Sequence, residues 1–334
     1  MDSTQPDGPA ATTRRGPALT VGVPVFEGER FLERTLTALR DQDLADVEVI
    51  VADNGSTDRS AAIADAFAAA DPRFRVLRSD RNRGVPWNWN RVLAEASAPY
   101  FMWNGADDVV RPAHLARCRA ALEERPDATI AFSRVALVDV DDRLVGEMDD
   151  DGLDLDTGRP SQRARTFLAR HAYQVIGFGG VHRTDVLRRM GGLPAYYGGD
   201  VALGVAMALR APWVLVPEQL FVSRRHDQQT NKVQGGDVLD QVRTYDPGFS
   251  RPVAFPQWEL LRQLFAACLT APVPAAERAR AVDAVVREWA VPNWRFYPYD
   301  VKRNLVRLVR GRYAGAYHSG SGSSGRPDPA EGIA

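Results

Sequence analysis

The sequence has only two cysteines, Cys118 and Cys268, in 334 residues. It therefore lacks a disulfide framework, and we expect two reduced thiols in the core. No apolar run approaches the length of a membrane-spanning helix, and the N-terminus lacks the apolar stretch of a signal peptide. Basic charge is not in excess either, because 42 basic residues face 43 acidic ones. We therefore expect a globular cytoplasmic protein that does not bind nucleic acid.

Two common site signatures are also missing. The histidines outside segment 224–230 match no metal-ligand spacing such as H-E-x-x-H. The pattern G-x-G-x-x-G occurs at 320–325, within a Gly/Ser/Pro-rich tail. Because a dinucleotide fingerprint has meaning only between a strand and a helix, this match does not predict an NAD-dependent enzyme.

Composition divides the chain into regions. Both ends are polar and rich in small residues, which predicts disorder. The first half of the remainder alternates strand and helix signals, and the last part is mainly helical in pattern. The predicted regions are a disordered leader at 1–17, an α/β domain at 18–230 (halves 18–135 and 136–230), a helical region at 231–317 and a disordered tail at 318–334.

The alternation of strands and helices predicts the fold class. Apolar, β-branched runs predict strands at 19–26, 47–52, 74–77, 100–103 and 128–132. Helical periodicity appears between these strands, and Ser56 is a candidate N-cap for the second helix. Further on, the pattern predicts helices at 161–171, 184–190 and 201–210, strands at 213–216 and 220–223, and helices at 257–270, 275–289 and 298–310. Such alternation predicts a mostly parallel sheet flanked by helices.

Polar side chains follow the second and fourth strands, where ligands bind in an open parallel sheet. Asp53 and Asn54 follow one strand, and Asp107 and Asp108 follow the other. Two adjacent carboxylates can hold Mg²⁺ or Mn²⁺ together with substrate phosphates. The same aspartates could instead cap the helix that begins near Pro112, and the pattern alone leaves both interpretations open.

Four segments in this order resemble the family 2 glycosyltransferases. They are Val-Gly-Val-Pro-Val-Phe at 21–26, Val-Ala-Asp-Asn-Gly-Ser-Thr-Asp at 51–58, Asn-Arg-Gly at 82–84 and Ala-Asp-Asp at 106–108. The resemblance covers roughly residues 18–230. It implies the GT-A fold, with a nucleotide-binding half at 18–135 and an acceptor and catalytic half at 136–230. It also implies a nucleotide-diphosphate sugar as donor.

The resemblance implies a set of nucleotide-binding residues. Glu27 departs from the asparagine common at its position, and Asn54 departs from the frequent aspartate. An amide still suits a pyrimidine edge because it both donates and accepts, so UDP or dTDP donors are favoured. The implied residues are Pro24, Phe26, Glu27, Asp53, Asn54, Asn82, Arg83, Gly84, Asn90 and Asp107.

The resemblance also implies a divalent metal, Mn²⁺ or Mg²⁺. Asp108 matches the better metal ligand, Asp107 a second one, and His226 the late histidine that reaches the metal or diphosphate. Gly105 stands where the longer motif has its first aspartate. The donor sugar and diphosphate are implied to contact Gly180, Arg224 and Arg225.

The implied catalytic residue is Asp200, since Gly199 replaces the glutamate that often precedes it. Asp200 would act as general base on an acceptor hydroxyl, and a single displacement would invert the anomeric centre without a covalent enzyme intermediate. The alternative is that Asp200 is the N-cap of a helix that begins at Val201.

Residues 298–312 form an amphipathic basic pattern. Val301, Leu305, Leu308 and Val309 share one stripe, and basic residues lie on the other side. Such a helix can lie on an anionic membrane, at the inner face of the plasma membrane, which would suit a lipid-linked acceptor. The alternative is a terminal helix docked on the domain with a solvated basic face. A glycan or small-molecule acceptor is equally compatible with the sequence.

Sugar transfer of this kind would serve the biosynthesis of a cell-surface polysaccharide, a glycoconjugate or a natural product. Two other functions are alternatives to it. A nucleotidyltransferase would carry a Gly-rich basic loop after the first strand, where this chain has the acidic segment 26–29. A non-catalytic sugar-nucleotide binding protein is compatible with Gly105 and Gly199.

Overall fold

A computed structural model describes residues 16–148, 155–156, 158–171, 176–226 and 238–318. Within this part of the chain, one sheet of nine strands forms the centre of the molecule. Its strands are β1 Leu19–Val25, β2 Val47–Asp53, β3 Phe74–Arg78, β4 Tyr100–Trp103, β5 Val109–Val110, β6 Ile130–Val138, β7 Leu144–Glu147, β8 Val181–Arg183 and β9 Trp213–Arg224.

Helices cover the sheet and continue beyond it. They are α1 Leu32–Arg40, α2 Ser60–Ala70, α3 Val85–Glu95, α4 His114–Glu124, α5 Pro160–Thr166, α6 Thr184–Arg189, α7 Gly199–Arg210, α8 Val238–Tyr245, α9 Pro256–Thr270, α10 Ala275–Ala284 and α11 Phe296–His318. A π-helical turn extends α5 over 167–171, and another follows α10 over 285–290. None of the described helices is long and apolar enough to cross a membrane.

The first half of the sheet is parallel, in the order β3-β2-β1-β4. Every residue of β1 is buried because helices cover both faces of this part. In α1 the spacing of Leu32, Leu36 and Leu39 puts all three side chains into the core. The prediction of a mostly parallel sheet flanked by helices is confirmed.

The second half of the sheet is mixed. β8 runs antiparallel between β4 and β6, whereas β9 is parallel to β6 and antiparallel to β5. The two strands predicted at 213–216 and 220–223 are one long strand, β9. Its pairing with β6 shifts in register near Arg134 but continues on both sides of the shift. The gap between the two predicted strands is therefore an irregularity within one strand.

Two helix starts differ from the sequence expectation. The prediction that Ser56 caps the second helix is wrong, because α2 begins at Ser60 and the Ser56 hydroxyl accepts a hydrogen bond from the Glu27 N–H at 3.0 Å. The carboxylate of Asp58 accepts from the Ser60 N–H at 2.9 Å instead. In α7 the helix begins at Gly199 rather than at Val201.

The C-terminal helices pack on the same core. α9 packs against α7, and its Leu264 and Cys268 are fully buried. α10 packs against α5, where the Glu277 carboxylate accepts hydrogen bonds from the Ser161 hydroxyl at 2.7 Å and the Ser161 N–H at 3.0 Å. Both cysteines are buried free thiols, as the sequence predicted.

Candidate active site

A cavity of about 740 Å³ opens at the carboxyl ends of β1, β2, β4 and β9. Open α/β sheets bind their ligands at this edge, because the loops that follow the strands separate there and leave a polar crevice between them. Ten of the residues predicted from the sequence line this cavity: Pro24, Phe26, Glu27, Asn54, Asn82, Asp107, Asp108, Asp200, Arg225 and His226.

The remaining predicted residues lie outside the cavity lining, and several support it from behind. Both amide atoms of Asn90 bond to the backbone of Leu193, with Nδ2 at 2.8 Å from the carbonyl and Oδ1 at 2.7 Å from the N–H. Asp53 is buried, and its carboxylate accepts from the Ser56 N–H at 3.0 Å. In this geometry Asn90 and Asp53 shape loops beside the cavity.

Gly180 and Arg224 are also placed behind the site. A side chain on Gly180 would meet the Ala131 carbonyl at 2.8 Å, so this glycine lets the chain pass close to β6. The Arg224 guanidinium is 1% exposed, donates to the Asp107 carbonyl at 3.2 Å and pairs with Asp142 at 2.7 Å. Arg224 therefore supports the loop that carries Asp107 rather than facing the cavity.

The loops after β1 and β2 are joined by side-chain hydrogen bonds. The Glu27 carboxylate accepts from the Thr57 N–H at 2.8 Å and from the Thr57 hydroxyl at 3.0 Å. The Gly28 N–H donates to the Ser60 hydroxyl at 2.9 Å. Glu27 has a positive φ of 52°, which these bonds hold in place. The two loops therefore form one fixed wall of the cavity.

Asn54 uses its whole amide group to fix the turn at 82–84. Its Nδ2 donates to the Asn82 side-chain oxygen at 3.0 Å and to the Gly84 carbonyl at 3.2 Å. Its Oδ1 accepts from the Arg83 N–H at 3.1 Å. Asn54 thus holds the predicted nucleotide turn in position, and Arg83 and Gly84 belong to that turn without lining the cavity.

Asp107 and Asp108 converge at the end of β4. A Cβ placed on Gly105 would lie 2.8 Å from Asp107 Oδ1 and 2.9 Å from Asp108 Oδ2. The His226 Nε2 lies 2.8 Å from Asp107 Oδ2, so the imidazole N–H faces that carboxylate. The Arg224 N–H donates to Asp108 at 3.1 Å. Two strand ends thus bring two carboxylates and an imidazole together.

The electrostatics of this pair favour a cation. Burial raises the pKa of Asp108 well above its usual range, and the neighbouring charge of Asp107 raises it further. A hydrogen bond from the Arg224 N–H and the nearby charge of Arg225 act in the opposite direction. Among the described residues no group of three or more His, Cys, Asp or Glu side chains could hold a metal alone. A metal held here would need further oxygen ligands, which a diphosphate can supply.

Asp200 enters the cavity from the first turn of α7. Its Oδ1 accepts from the Val201 N–H at 3.0 Å. Because α7 begins at Gly199 after the left-handed Gly198, Asp200 is not the N-cap, and that alternative is wrong. Burial raises the pKa of Asp200, although its hydrogen bonds to the backbone lower it. A carboxylate with a raised pKa is a stronger base.

Aromatic side chains form the cavity wall next to Asp200. Trp103 and Phe178 stack with ring centroids 5.3 Å apart, and Trp89 meets Phe178 edge-on at 5.7 Å. The Trp103 indole N–H donates to the Trp89 carbonyl at 2.8 Å, which fixes the ring. This wall is rigid and apolar, which suits the C–H face of a sugar ring.

The sequence analysis missed a wall supplied by α8 and the turn after it. Arg243, Thr244, Tyr245 and Pro247 line the cavity. A side chain on Gly84 would meet Pro247 at 2.7 Å, so this glycine permits the close approach. No local motif marks these residues, because only the packing of α8 brings them to the site. Arg30, Arg225 and Arg243 are the arginines among the lining residues.

Known proteins share sequence and fold with this chain. Residues 20–180 match the sequence profile of glycosyl transferase family 2. The chain is 29% identical over 113 residues to the putative glycosyltransferase EpsH of Bacillus subtilis, covering 34% of this chain and 32% of EpsH. It is 31% identical over 93 residues to the glycosyltransferase GlyG of Streptococcus pneumoniae, covering 28% and 31% of the two chains. The matched segment thus spans about a third of each relative.

The fold extends further than the sequence similarity. The structure of S. aureus TarS residues 1–349 superposes with a TM-score of 0.60 at 16% identity, covering 82% of this chain and 72% of that chain. The mannosyltransferase PcManGT of Pyrobaculum calidifontis gives a TM-score of 0.52 at 17% identity, covering 92% and 77%. At these identities the likeness concerns the fold. The sequence match identifies residues 20–180, just under half of the chain, as a glycosyl transferase family 2 domain.

Proposed function

We propose that the protein transfers a sugar from a nucleotide-diphosphate sugar to an acceptor hydroxyl. One observation carries the proposal: a single cavity at the carboxyl end of the sheet is lined by Asp107, Asp108 and Asp200. The family match supports the reaction class. Solved structures of TarS in complex with UDP-GlcNAc and of PcManGT in complex with GDP-Man and Mn²⁺ support a sugar nucleotide as ligand.

The nucleotide would occupy the wall formed by the loops after β1 and β2. Phe26 is 46% exposed at the end of β1 and offers a ring on which a base can stack. Asn82 is exposed and lines the same cavity, and Asn54 holds its turn in position. The Asn82 side-chain oxygen already accepts from Asn54 and from the Gly84 N–H, so its NH2 group would donate to a carbonyl of the base, which the pyrimidine of a UDP or dTDP donor offers.

The diphosphate would lie in the cavity beside the Asp107–Asp108 pair. Asp107 and Asp108 would hold Mn²⁺ or Mg²⁺, with His226 orienting Asp107 through its N–H. The metal, when bound, neutralises charge on the departing diphosphate. Arg225, whose charge acts on Asp108, and Arg243 add cationic groups to the cavity lining.

Asp200 would act as the general base. Its carboxylate takes the proton from the acceptor hydroxyl as that oxygen forms a bond to the anomeric carbon. The bond from this carbon to the diphosphate oxygen breaks in the same displacement, and the nucleoside diphosphate leaves with the electron pair. The anomeric centre is inverted, and no covalent enzyme intermediate forms.

Calorimetric titration with UDP, dTDP and GDP, each with and without Mn²⁺, tests the donor half of the proposal. We expect Mn²⁺-dependent binding of one pyrimidine nucleotide. Release of nucleoside diphosphate, measured with a panel of glycan, lipid-linked and small-molecule acceptors, tests the transfer half. Asp200→Asn should reduce release about 10²- to 10⁴-fold and leave nucleotide affinity unchanged. Unchanged release in Asp200→Asn would show that Asp200 is not the base. No release by the parent with any acceptor would leave a binding protein, and no nucleotide binding by the folded protein would refute the proposal.

A further inference from the structure

Helix α11 turns its apolar stripe outward. The stripe consists of Val301, Leu305, Leu308 and Val309, and these side chains are 42%, 57%, 43% and 53% exposed. A terminal helix normally buries such a stripe against the domain. The prediction that α11 docks on the domain holds, but it does not dock through this stripe.

Polar residues dock α11 instead. The Asp300 carboxylate accepts from the Gln257 N–H at 2.8 Å. The Asn304 amide bonds to both backbone groups of Ala254, at 3.1 Å to the N–H and 2.6 Å to the carbonyl. Asp300 and Asn304 are almost fully buried, so they define the inner face of the helix. These contacts therefore leave the apolar face of α11 on the outside.

Aromatic residues before and within α11 enlarge the apolar surface. Trp294 is 59% exposed, Phe296 47% and Tyr299 52%. Exposed apolar surfaces of this kind are uncommon on monomeric proteins and mark interaction sites. Tryptophan and tyrosine are the residues that favour the boundary between lipid headgroups and acyl chains. We call the surface formed by Trp294, Phe296, Tyr299 and the stripe the α11 patch.

The exposed charges of α11 and of the turn before it are positive. Between 291 and 309 the basic residues are Arg295, Lys302, Arg303 and Arg307, and the only acidic residue is the buried Asp300. Arg303 donates to the Gln241 side chain at 3.1 Å, which holds this cation at the margin of the patch. Nearby acidic groups on α8, on α9 and after α10 are paired with arginines, as Asp240 is with Arg243, Glu259 with Arg262 and Glu288 with Arg165.

We propose that the α11 patch binds an anionic lipid surface. An apolar stripe with aromatic residues and a cationic margin complements acyl chains and negative headgroups at once. A second copy of the chain is the weaker fit, because a two-fold contact would set the cationic margins against each other. The C-terminal segment 319–334 is also a poor fit, because Ile333 is its only large apolar residue.

This surface lies on the same structural unit as the cavity. α11 contacts α8 through Arg303 and Gln241, and α8 supplies Arg243 and Tyr245 to the cavity lining. An acceptor held in the membrane is the class of acceptor that this placement fits, and this last step rests on the proposed function. Lipid binding itself does not depend on it.

Vesicle co-sedimentation of the full chain, without nucleotide or metal, tests the proposal. We expect binding to phosphatidylcholine vesicles that contain phosphatidylglycerol and at least about tenfold weaker binding to pure phosphatidylcholine. Leu305→Ser should weaken binding roughly tenfold, because an apolar anchor is lost. Leu269→Ser is the matched control, since Leu269 is 59% exposed on α9, outside the patch, and it should bind as the parent does. Lys302→Gln should weaken binding about fivefold.

Light scattering on the same samples separates the alternatives. A monomer that binds anionic vesicles through Leu305 supports the proposal. A dimer that Leu305→Ser dissociates, with no vesicle binding, would overturn it. Equal loss of binding in Leu305→Ser and Leu269→Ser would overturn it as well. None of these results depends on nucleotide affinity, so failure here and failure of the proposed transfer are distinguishable.

Discussion

The His226 imidazole Nε2 lies 2.8 Å from the Asp107 carboxylate and joins the end of β9 to the loop after β4. The Phe31 ring lies 5.0 Å from the imidazole and helps to fix its position. Among the described residues the other ring nitrogen, Nδ1, is buried without a hydrogen-bond partner. His226 therefore has one defined contact with the carboxylate pair, and that contact can be tested.

His226→Ala should weaken Mn²⁺-dependent nucleotide binding about 10-fold or more, because an orienting hydrogen bond to a metal-binding carboxylate is lost. Asp107→Asn should weaken binding further. The two effects should not add in the double variant, since each removes the same contact. Calorimetric titration of the three variants measures this coupling, and strictly additive losses would show that His226 acts separately from Asp107.

Gly105 should not tolerate the acidic residue that the longer metal motif has at its position. A Cβ there would lie within 3 Å of one oxygen from each of Asp107 and Asp108. Gly105→Ala and Gly105→Asp should both push these carboxylates apart and weaken Mn²⁺-dependent nucleotide binding at least tenfold. Calorimetry with UDP and Mn²⁺ measures the loss. A gain in metal affinity in Gly105→Asp would show that the loop has room for a third carboxylate.

Asn54→Asp should destabilise the fold although the two side chains have the same shape. A carboxylate cannot donate, so the bonds to the Asn82 side chain and the Gly84 carbonyl are lost. We expect the free energy of unfolding to fall by about 2–4 kcal/mol in chemical denaturation. Asp53→Asn is the matched control, because its remaining oxygen still accepts from the Ser56 N–H. Equal losses in both variants would refute the assigned role of Asn54.

Two adjacent glycines allow steric and conformational costs to be separated. Gly191 and Gly192 both have positive φ, 84° and 69°, but a side chain on Gly192 would collide with Asn90, whereas nothing lies within 4 Å at Gly191. Gly191→Ala should cost about 1–2 kcal/mol in unfolding free energy from backbone strain alone. Gly192→Ala should cost about 1–3 kcal/mol more from the collision. If chemical denaturation gave equal losses for Gly191→Ala and Gly192→Ala, the Asn90 side chain would not lie against Gly192.

The parallel half of the sheet was predictable because its signals are local. β1 and β2 are continuous apolar runs followed by turn residues, and α1 has the spacing of a buried helix face. β5 and β8 contain two and three residues, and each forms only because a distant strand supplies its hydrogen bonds. Such strands have no sequence pattern of their own to detect.

The site was predictable in its residue types but not in how each residue is used. Asn54 belongs to a recognisable motif, yet its amide bonds to the turn at 82–84. The wall from α8 follows from packing and carries no motif. For α11 the periodicity revealed a stripe, but only Asp300 and Asn304 decide which face docks. Residue spacing shows which side chains share a face of a helix, whereas long-range contacts decide which face packs on the domain.

Because Asp200 would be the base, the rate of the transfer reaction should fall on the acidic side of its pH profile, at a pH above the ordinary pKa range of a carboxyl group. Burial raises its pKa, and only the ionised form can accept the acceptor's proton. The rate of nucleoside diphosphate release should therefore fall as the pH is lowered through this raised pKa. A profile that stays flat down to the usual carboxyl range would argue against Asp200 as the base.

The same raised pKa should make Asp200 costly for stability. The unfolded chain loses this proton near the usual aspartate pKa of 3.8, whereas the folded protein holds it to higher pH. Between these two pKa values the folded state binds more protons, so the free energy of unfolding falls as the pH rises. Asp200→Asn has no charge to bury. Its melting temperature should therefore exceed that of the parent at neutral pH. Each pH unit between the folded and unfolded pKa values of Asp200 corresponds to about 1.4 kcal/mol of unfolding free energy. The advantage should shrink as the pH is lowered towards 3.8, and thermal melts at several pH values would measure it. An advantage that does not change with pH would show that the Asp200 carboxylate is not held in a buried environment.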